Sequence, residues 1–189
     1  YFTGSNNSVK NCNFENGHRS RGGALWFANV NNTVIDCSFI DCYAVGTGGA
    51  IYLERENSDI INCSFVNCYV NSEGIEYLGG GAIFSSSACT ISDCSFVNCH
   101  ASPGGGAIYF YRKNMASVKN CNFVNCSNYN NVILVGVDDF ILSLMDCNFT
   151  ECNGKAWSSS GRVDLSNIRI NGTLYDLSLL DIRENSQVK

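Results

Sequence analysis

Short runs of alternating apolar and polar residues recur along the whole chain. In one run, Ile61, Cys63 and Phe65 are apolar, while Asn62 and Ser64 between them are polar. Alternation with a period of two is typical of a β-strand with one buried face. Clusters of Gly, Asn and Ser, which favour turns, separate the runs. The pattern therefore predicts an all-β chain of short strands joined by tight turns.

The runs belong to an internal repeat that cysteine marks. A Cys-x-Phe-x-(Asn/Asp/Glu) motif begins at Cys12, Cys37, Cys63, Cys94, Cys121 and Cys147, with spacings of 25, 26, 31, 27 and 26 residues. In five repeats a second cysteine follows the motif directly, and these are Cys42, Cys68, Cys99, Cys126 and Cys152. A Gly-Gly-Ala motif recurs in step with them, beginning at Gly22, Gly48, Gly80 and Gly105.

A repeat of this length predicts one coil of a solenoid. About 26 residues hold three short strands and three turns, which is one coil of a single-stranded right-handed parallel β-helix. The 189 residues then form one domain of about seven coils, regular over about 8–152, with 153–189 as a degenerate coil or a capping segment. We expect this domain to belong to a longer chain or assembly. The longest insertion, residues 71–78, is expected to protrude as a loop.

Stacking of the coils places equivalent residues in columns. The residues expected to point inward are the first cysteines, the column of Ile35, Ile61, Ile91 and Val118, and the column of Phe39, Phe65, Phe96, Phe123 and Phe149. Asp41, Asn67, Asn98 and Asn125 follow the phenylalanines at a bend, where Asn and Asp tolerate left-handed backbone and can bond along the stack. Asp36, Asp93 and Asp146 alternate with Asn11, Asn62 and Asn120 in an outward polar row.

Composition and charge exclude several classes of protein. The net charge is −5, and the chain lacks the basic footprint that nucleic-acid binding usually needs. No run of 18 apolar residues occurs, so we expect no membrane insertion. The scattered carboxylates suggest neither an enzyme nor a cofactor site, and columns of cysteine at constant pitch do not converge as zinc ligands do. We therefore expect no catalytic, cofactor-binding or metal-binding residues.

The two motifs together resemble a known family. Gly-Gly-Ala-Ile and Phe-x-x-Asn are similar to the repeats of polymorphic outer membrane proteins, found in bacterial autotransporter adhesins, and to those of adhesin-like surface proteins of methanogenic archaea and parasitic protists. The resemblance covers residues 8 to about 126 with both motifs, and extends to 152 with the cysteine motif alone. It implies a β-helical cell-surface protein used in adhesion or display, and it supplies no catalytic residues.

Two readings of the cysteines remain open. Equivalent positions on neighbouring coils lie about 4.8 Å apart, within the Cα range of a disulfide, so bridges would join neighbouring coils within a column. Alternatively, the thiols are free and act as small core residues. Cys89 belongs to neither column. The even cysteine count suits an extracellular location, as do six glycosylation sequons, at Asn6, Asn31, Asn62, Asn125, Asn148 and Asn171.

Aromatic residues provide the candidate contact surface. If Ile51 and Leu53 point inward, the side chains that point outward are Trp26, Tyr52, Phe84 and Tyr109; Tyr43 and Tyr69 form a second pair. The opposite register would place the first four in the core. An outward apolar stripe usually marks a contact surface. We therefore expect an extracellular structural or adhesin-like rod that serves adhesion or filament assembly, with protein or surface glycans as partners. The alternative is a β-helix that binds or cleaves carbohydrate.

Overall fold

The computed structural model describes residues 1–71, 79–112 and 115–175. The candidate loop at 71–78 therefore lies, apart from Asn71, outside the described residues. The described part is a stack of coils whose strands pair with the equivalent strands of the next coil, almost always in parallel. This arrangement forms three long sheets that run along a rod.

Sheet I is a ladder of seven parallel strands, one from each coil. In order along the rod these are Ser8–Lys10, Thr33–Ile35, Ser58–Ile61, Cys89–Ser92, Met115–Lys119, Ile141–Met145 and Arg162–Ser166. Seven strands agree with the coil number expected from the repeat.

Sheet II follows sheet I around the first corner of each coil. Its parallel strands are Asn13–Glu15, Ser38–Ile40, Ser64–Val66, Ser95–Val97, Asn122–Val124, Asn148–Thr150 and Ile168–Ile170. Thr173–Tyr175 then pairs antiparallel with Ile168–Ile170, so the last strand of the sheet is covered by a strand of opposite direction.

Sheet III has two arms, so each of the first four coils contributes two strands to it and contains more than the three strands that its length suggested. The first arm contains His18–Arg21, Tyr43–Thr47, Tyr69–Asn71 and His100–Ser102. The second contains Leu25–Phe27, Ile51–Leu53, Ile83–Ser85 and Ile108–Phe110. The long strand Ser127–Val135 joins the arms and also pairs with Asn153–Ser158, and the short pair Gly79–Gly80 and Gly104–Gly105 stands apart.

The glycines between the two arms permit a very tight corner. At Gly49, a Cβ atom would lie 1.9 Å from the carbonyl oxygen of Gly81 and 2.6 Å from that of Tyr69. Only glycine lets the backbone of neighbouring coils approach so closely. In the fifth repeat Asn130-Asn-Val-Ile stands at the position of Gly-Gly-Ala-Ile, and there the chain stays extended as one long strand.

The Phe column is confirmed as the centre of the core. Six rings, those of Phe14, Phe39, Phe65, Phe96, Phe123 and Phe149, stack face to face with centroids 4.7–5.0 Å apart and planes 4–5° from parallel. We number coils 1 to 6 by these six residues. The rings from coil 2 to coil 6 are buried, whereas Phe14 in coil 1 is partly exposed.

Two of the four members of the predicted aliphatic column of sheet I are shifted by one position. Val34 pairs with Ile60, Ile60 with Ile91, and Ile91 with Val118, and all four side chains are buried. Ile35 and Ile61 instead pair with each other and are only half-buried. Successive strand residues face opposite sides of a sheet, so an error of one position exchanges inside and outside.

Polar residues with left-handed backbone form the corners on both sides of sheet II. The first corner row is Asn11, Asp36, Asn62, Asp93, Asn120, Asp146 and Asn167, with φ of 51–57°. The second corner row is Asn16, Asp41, Asn67, Asn98, Asn125, Glu151 and Asn171, with φ of 47–55°. The second row was predicted from the sequence as a bend, whereas the first was expected only as an outward polar row. Asn and Asp are the residues that adopt this backbone most readily after Gly.

Side-chain amides bond along these rows. In the first row, Asn62 Nδ2 donates to Asp36 Oδ1 at 2.7 Å, and Asn120 Nδ2 donates to Asp93 Oδ1 at 2.6 Å. In the second row, Asn98 Nδ2 donates to Asn67 Oδ1 at 3.1 Å. The corners are therefore connected from coil to coil by side chains as well as by backbone.

Candidate functional site

The outward register of the aromatic stripe is correct, but the stripe is not exposed. Ile51, Ile83 and Ile108 lie in the main core, and the side chains next to them point away from it. However, Tyr52 is only 7% exposed, Phe84 5% and Tyr109 0%. These three form a separate apolar cluster with the partly buried Trp26 and Leu134. The predicted contact surface is therefore wrong for Tyr52, Phe84 and Tyr109.

Neighbouring groups cover this second cluster at both ends. The guanidinium of Arg21 lies 5.8 Å from the ring centroid of Trp26 and 5.6 Å from that of Tyr52. At the other end, the ring of Tyr111 lies 6.0 Å from that of Phe84. A Cβ on Gly136 would lie 2.0 Å from the hydroxyl of Tyr109, so the chain passes directly over that group.

Burial leaves the Tyr109 hydroxyl without a hydrogen-bond partner among the described residues. Loss of hydration, which disfavours the phenolate, raises the pKa of Tyr109 to about 12. This tyrosine therefore serves as a neutral packing residue rather than as a contact or proton-transfer group.

Tyr43 and Tyr69 are the aromatic candidates that the structure leaves accessible. They are half-buried on the first arm of sheet III and stack with centroids 5.0 Å apart and planes 4° from parallel. His18 extends the stack at one end, 4.0 Å from Tyr43, and His100 extends it at the other, 5.0 Å from Tyr69. We call these four residues the aromatic ladder.

The two histidines were missed as members of this surface. The sequence does contain the signal, because His100 follows its second cysteine just as Tyr43 and Tyr69 follow theirs. His18 occupies the same position in the first repeat, after Gly17. Both side chains are exposed, so imidazole nitrogens lie at each end of the ladder.

Trp26 is the remaining accessible residue of the predicted stripe. Its indole nitrogen donates a hydrogen bond of 3.1 Å to Glu54 Oε2, and Tyr1 packs edge-on against its ring at 4.5 Å. Together with Arg21, this provides an aromatic ring with a carboxylate and a guanidinium beside it.

Both cysteine columns are present, and all twelve cysteines are free. Each column thiol donates to the carbonyl oxygen two residues earlier, at 3.1 Å in Cys37 and 3.5 Å in Cys42. From Cys37 onward, each column thiol also lies close to a carbonyl oxygen of the preceding coil, such as Phe39 O, 3.5 Å from Cys68 Sγ. The interior thus provides every column thiol with an acceptor.

Strand geometry explains why the columns are not bridged. Strands in parallel register hold equivalent Cβ atoms as far apart as the strands themselves, about 4.8 Å. A disulfide needs a Cβ–Cβ separation of about 3.5–4.5 Å. The sequence argument compared only the Cα spacing, which is permitted, and therefore overestimated how readily stacked cysteines can pair.

We expect two thiols to react rapidly with a thiol reagent in the native protein and all twelve to react after denaturation without reductant. Cys12 and Cys152 are partly exposed, whereas the other ten are buried. Burial keeps the reagent away from those ten side chains as long as the protein is folded. Spectrophotometric counting checks this, with a reduced and denatured sample as the reference. Fewer than twelve thiols in denaturant would show that bridges exist.

Among the described residues, no three His, Cys, Asp or Glu side chains converge in a way that could hold a metal ion. The same residues contain no helix long and apolar enough to cross a bilayer. The predicted sequons lie mostly on the surface: Asn6, Asn31, Asn62, Asn125 and Asn171 are exposed, and Asn148 is half-buried. The side-chain amides of Asn62 and Asn125 already donate along the corner rows.

The parallel coils and their internal ladders define a β-helix. The family model of the right-handed beta helix region matches residues 1–106, more than half of the 189-residue chain. The chain therefore belongs to the right-handed beta helix family. The search of curated proteins and the search of solved structures each found no match.

Proposed function

We propose that this chain is a non-catalytic, adhesin-like structural rod of an extracellular protein, and that the aromatic ladder is its contact surface. The observation that carries the proposal is the stack of His18, Tyr43, Tyr69 and His100 on the outer side of sheet III. Tyrosine is enriched at protein interfaces because it combines a large apolar ring with a hydroxyl group. The six sequons and the resemblance of the repeats to surface proteins support the extracellular location.

The geometry of the ladder favours one kind of contact. Because the rings are parallel and 4.0–5.0 Å apart, each inner ring face is covered by the next ring. The ring edges, with the tyrosine hydroxyls and the imidazole nitrogens, are what remains for a partner. This favours hydrogen bonding and edge contacts with a protein surface over the stacking of sugar rings on exposed aromatic faces.

The experiment is to replace Tyr43 and Tyr69 together with Ser and to measure attachment of the labelled chain to cultured epithelial cells and to a glycan array. We expect cell attachment to fall at least about tenfold, because a few aromatic residues usually dominate an interface. Tyr111→Ser is the matched control, since Tyr111 is exposed but lies outside the ladder. Equal unfolding midpoints would show that both variants are folded. Unchanged attachment of the double variant, or a wild-type chain that does not attach, would overturn the proposal.

Carbohydrate binding is the second candidate, and Trp26 favours it. An accessible indole flanked by a carboxylate and a guanidinium offers the mixture of apolar and polar contacts found in small-ligand sites. In this case Trp26→Ala would abolish glycan-array binding, and the double tyrosine variant would retain it. Release of unsaturated products from polyuronates would indicate the cleaving alternative and would contradict the non-catalytic role.

A further inference from the structure

The outer side of sheet II is a flat face with no charge in its middle. One of its two rows contains Asn13, Ser38, Ser64, Ser95, Asn122 and Asn148, and the other contains Glu15, Ile40, Val66, Val97, Val124 and Thr150. From coil 2 to coil 6 every one of these side chains is neutral. Sheet I, by contrast, has Asp59 and Lys119 on its outer side.

We infer that this face binds a second copy of the same chain, with the two rods antiparallel and related by a two-fold axis between coils 3 and 4. In this arrangement coil 1 of one copy lies opposite coil 6 of the other, coil 2 opposite coil 5, and coil 3 opposite coil 4. Val66 of one copy then contacts Val97 of the second copy, and Ile40 contacts Val124. The aliphatic row of one copy therefore packs against the same row of the other copy. The contact lies on a different sheet from the aromatic ladder and does not depend on the proposed function. It requires that Asn62, Asn125 and Asn148, which lie on this face or at its corners, carry no glycan.

The charges of the corner rows select this arrangement. In the first corner row, Asp93 lies opposite Asn62, Asp36 opposite Asn120, and Asp146 opposite Asn11. In the second corner row, Asp41 lies opposite Asn125 and Glu151 opposite Asn16. Every carboxylate of the two corner rows in coils 1 to 6 therefore meets an amide that can donate a hydrogen bond to it.

Two neighbouring arrangements of the same two faces bring carboxylates together. If the rods are parallel, the first corner row of one copy meets the second corner row of the other, and Asp36 lies opposite Asp41. If antiparallel rods shift by one coil, Asp36 lies opposite Asp146, and Asp93 lies opposite its own equivalent. Carboxylates facing each other across an interface are unfavourable. Of the two-fold arrangements that overlap all six coils, only the antiparallel one therefore pairs each corner carboxylate with an amide.

The size of the face sets the expected strength. Five residue steps between the corner rows span about 17 Å, and six coils span about 29 Å. Two copies would cover about 1,000 Å² in total, which is near the lower limit for a specific interface. We therefore expect a weak dimer that forms at roughly tens of micromolar.

The test is sedimentation velocity of the full, unglycosylated chain over a range of concentrations. Wild type is expected to dimerise, and Val97→Lys is expected to abolish the dimer because it places a charge beside the two-fold axis. Thr90→Lys is the matched control, since Thr90 is exposed on the outer side of sheet I in the same coil. A monomeric wild type overturns the proposal, and so does a Val97→Lys variant that dimerises normally.

A charge exchange tests the register independently of the apolar row. Asn125→Asp places a carboxylate opposite Asp41 of the second copy and is expected to weaken the dimer about tenfold. Adding Asp41→Asn restores an acid–amide pair and is expected to restore the affinity. Within one rod these positions are three coils apart, about 14 Å, so a local effect cannot produce the rescue. Failure of the second substitution to rescue dimerisation overturns the antiparallel register.

Discussion

Gly49→Ala is expected to prevent stable folding or to reduce the free energy of unfolding by about 4 kcal/mol or more. The added Cβ would lie 1.9 Å from Gly81 O, 2.6 Å from Tyr69 O and 2.8 Å from Tyr69 N. All three atoms belong to the backbone of neighbouring strands, so no side chain can rotate away to make room. Relief of the collision would require the coils to separate at the corner, with loss of the hydrogen bonds that join them.

Chemical denaturation monitored by circular dichroism measures this effect. Gly4→Ala is the matched control, because its Cβ would have Asn7 Oδ1 at 3.9 Å as its nearest neighbour, an ordinary contact. We expect that control to unfold within about 0.5 kcal/mol of wild type. Equal stability of the two variants would contradict the tight corner that the structure assigns to the Gly-Gly-Ala motif.

Phe96→Ala is expected to reduce stability by about 3–5 kcal/mol. Phe96 is fully buried, and its ring is stacked between those of Phe65 and Phe123 at 4.9 and 4.8 Å. Truncation removes both stacking contacts and leaves a cavity in the middle of the rod. Neighbouring coils cannot collapse into that cavity, because the strands on either side keep their fixed spacing.

Phe14→Ala provides a comparison with the same chemical change. Phe14 has the same position in its coil, but its ring has a phenylalanine neighbour on one side only, Phe39 at 5.0 Å, and it is partly exposed. We expect this variant to lose roughly half as much stability as Phe96→Ala. Equal losses in denaturant titrations would show that position along the Phe column does not matter, contrary to the stacking geometry.

The sequence predicted the parts of the fold that depend on single positions. These are the phenylalanines, the corner residues such as Asn67 and the glycines of the tight corner. The role of each depends on its own position in the coil, and the repeat period shows where that position lies. The second arm of sheet III in the first four coils was not predicted, because alternation over three or four residues does not show where one strand ends. For the same reason the assignment of Ile35 and Ile61 was wrong by one position.

The candidate surface was only partly predictable. That Tyr52 points away from the core followed from Ile51 and Leu53, but its burial depends on contacts with other coils, such as those with Trp26 and Phe84. Contacts of this kind depend on the path of the whole chain, which local spacing does not give. The aromatic ladder was visible in part, since Tyr43 and Tyr69 occupy equivalent positions, and His18 and His100 complete it at those same positions.

The first corner row alternates Asn and Asp, so its pattern repeats every two coils while the backbone repeats every coil. Proteins of this kind can lengthen or shorten by duplication or loss of whole repeats. Loss of a single Asn coil would place two aspartates next to each other along the rod, whereas loss of two consecutive coils would leave the alternation unchanged. The electrostatics of one corner therefore favour evolution of this rod in steps of two repeats, although its backbone would permit steps of one.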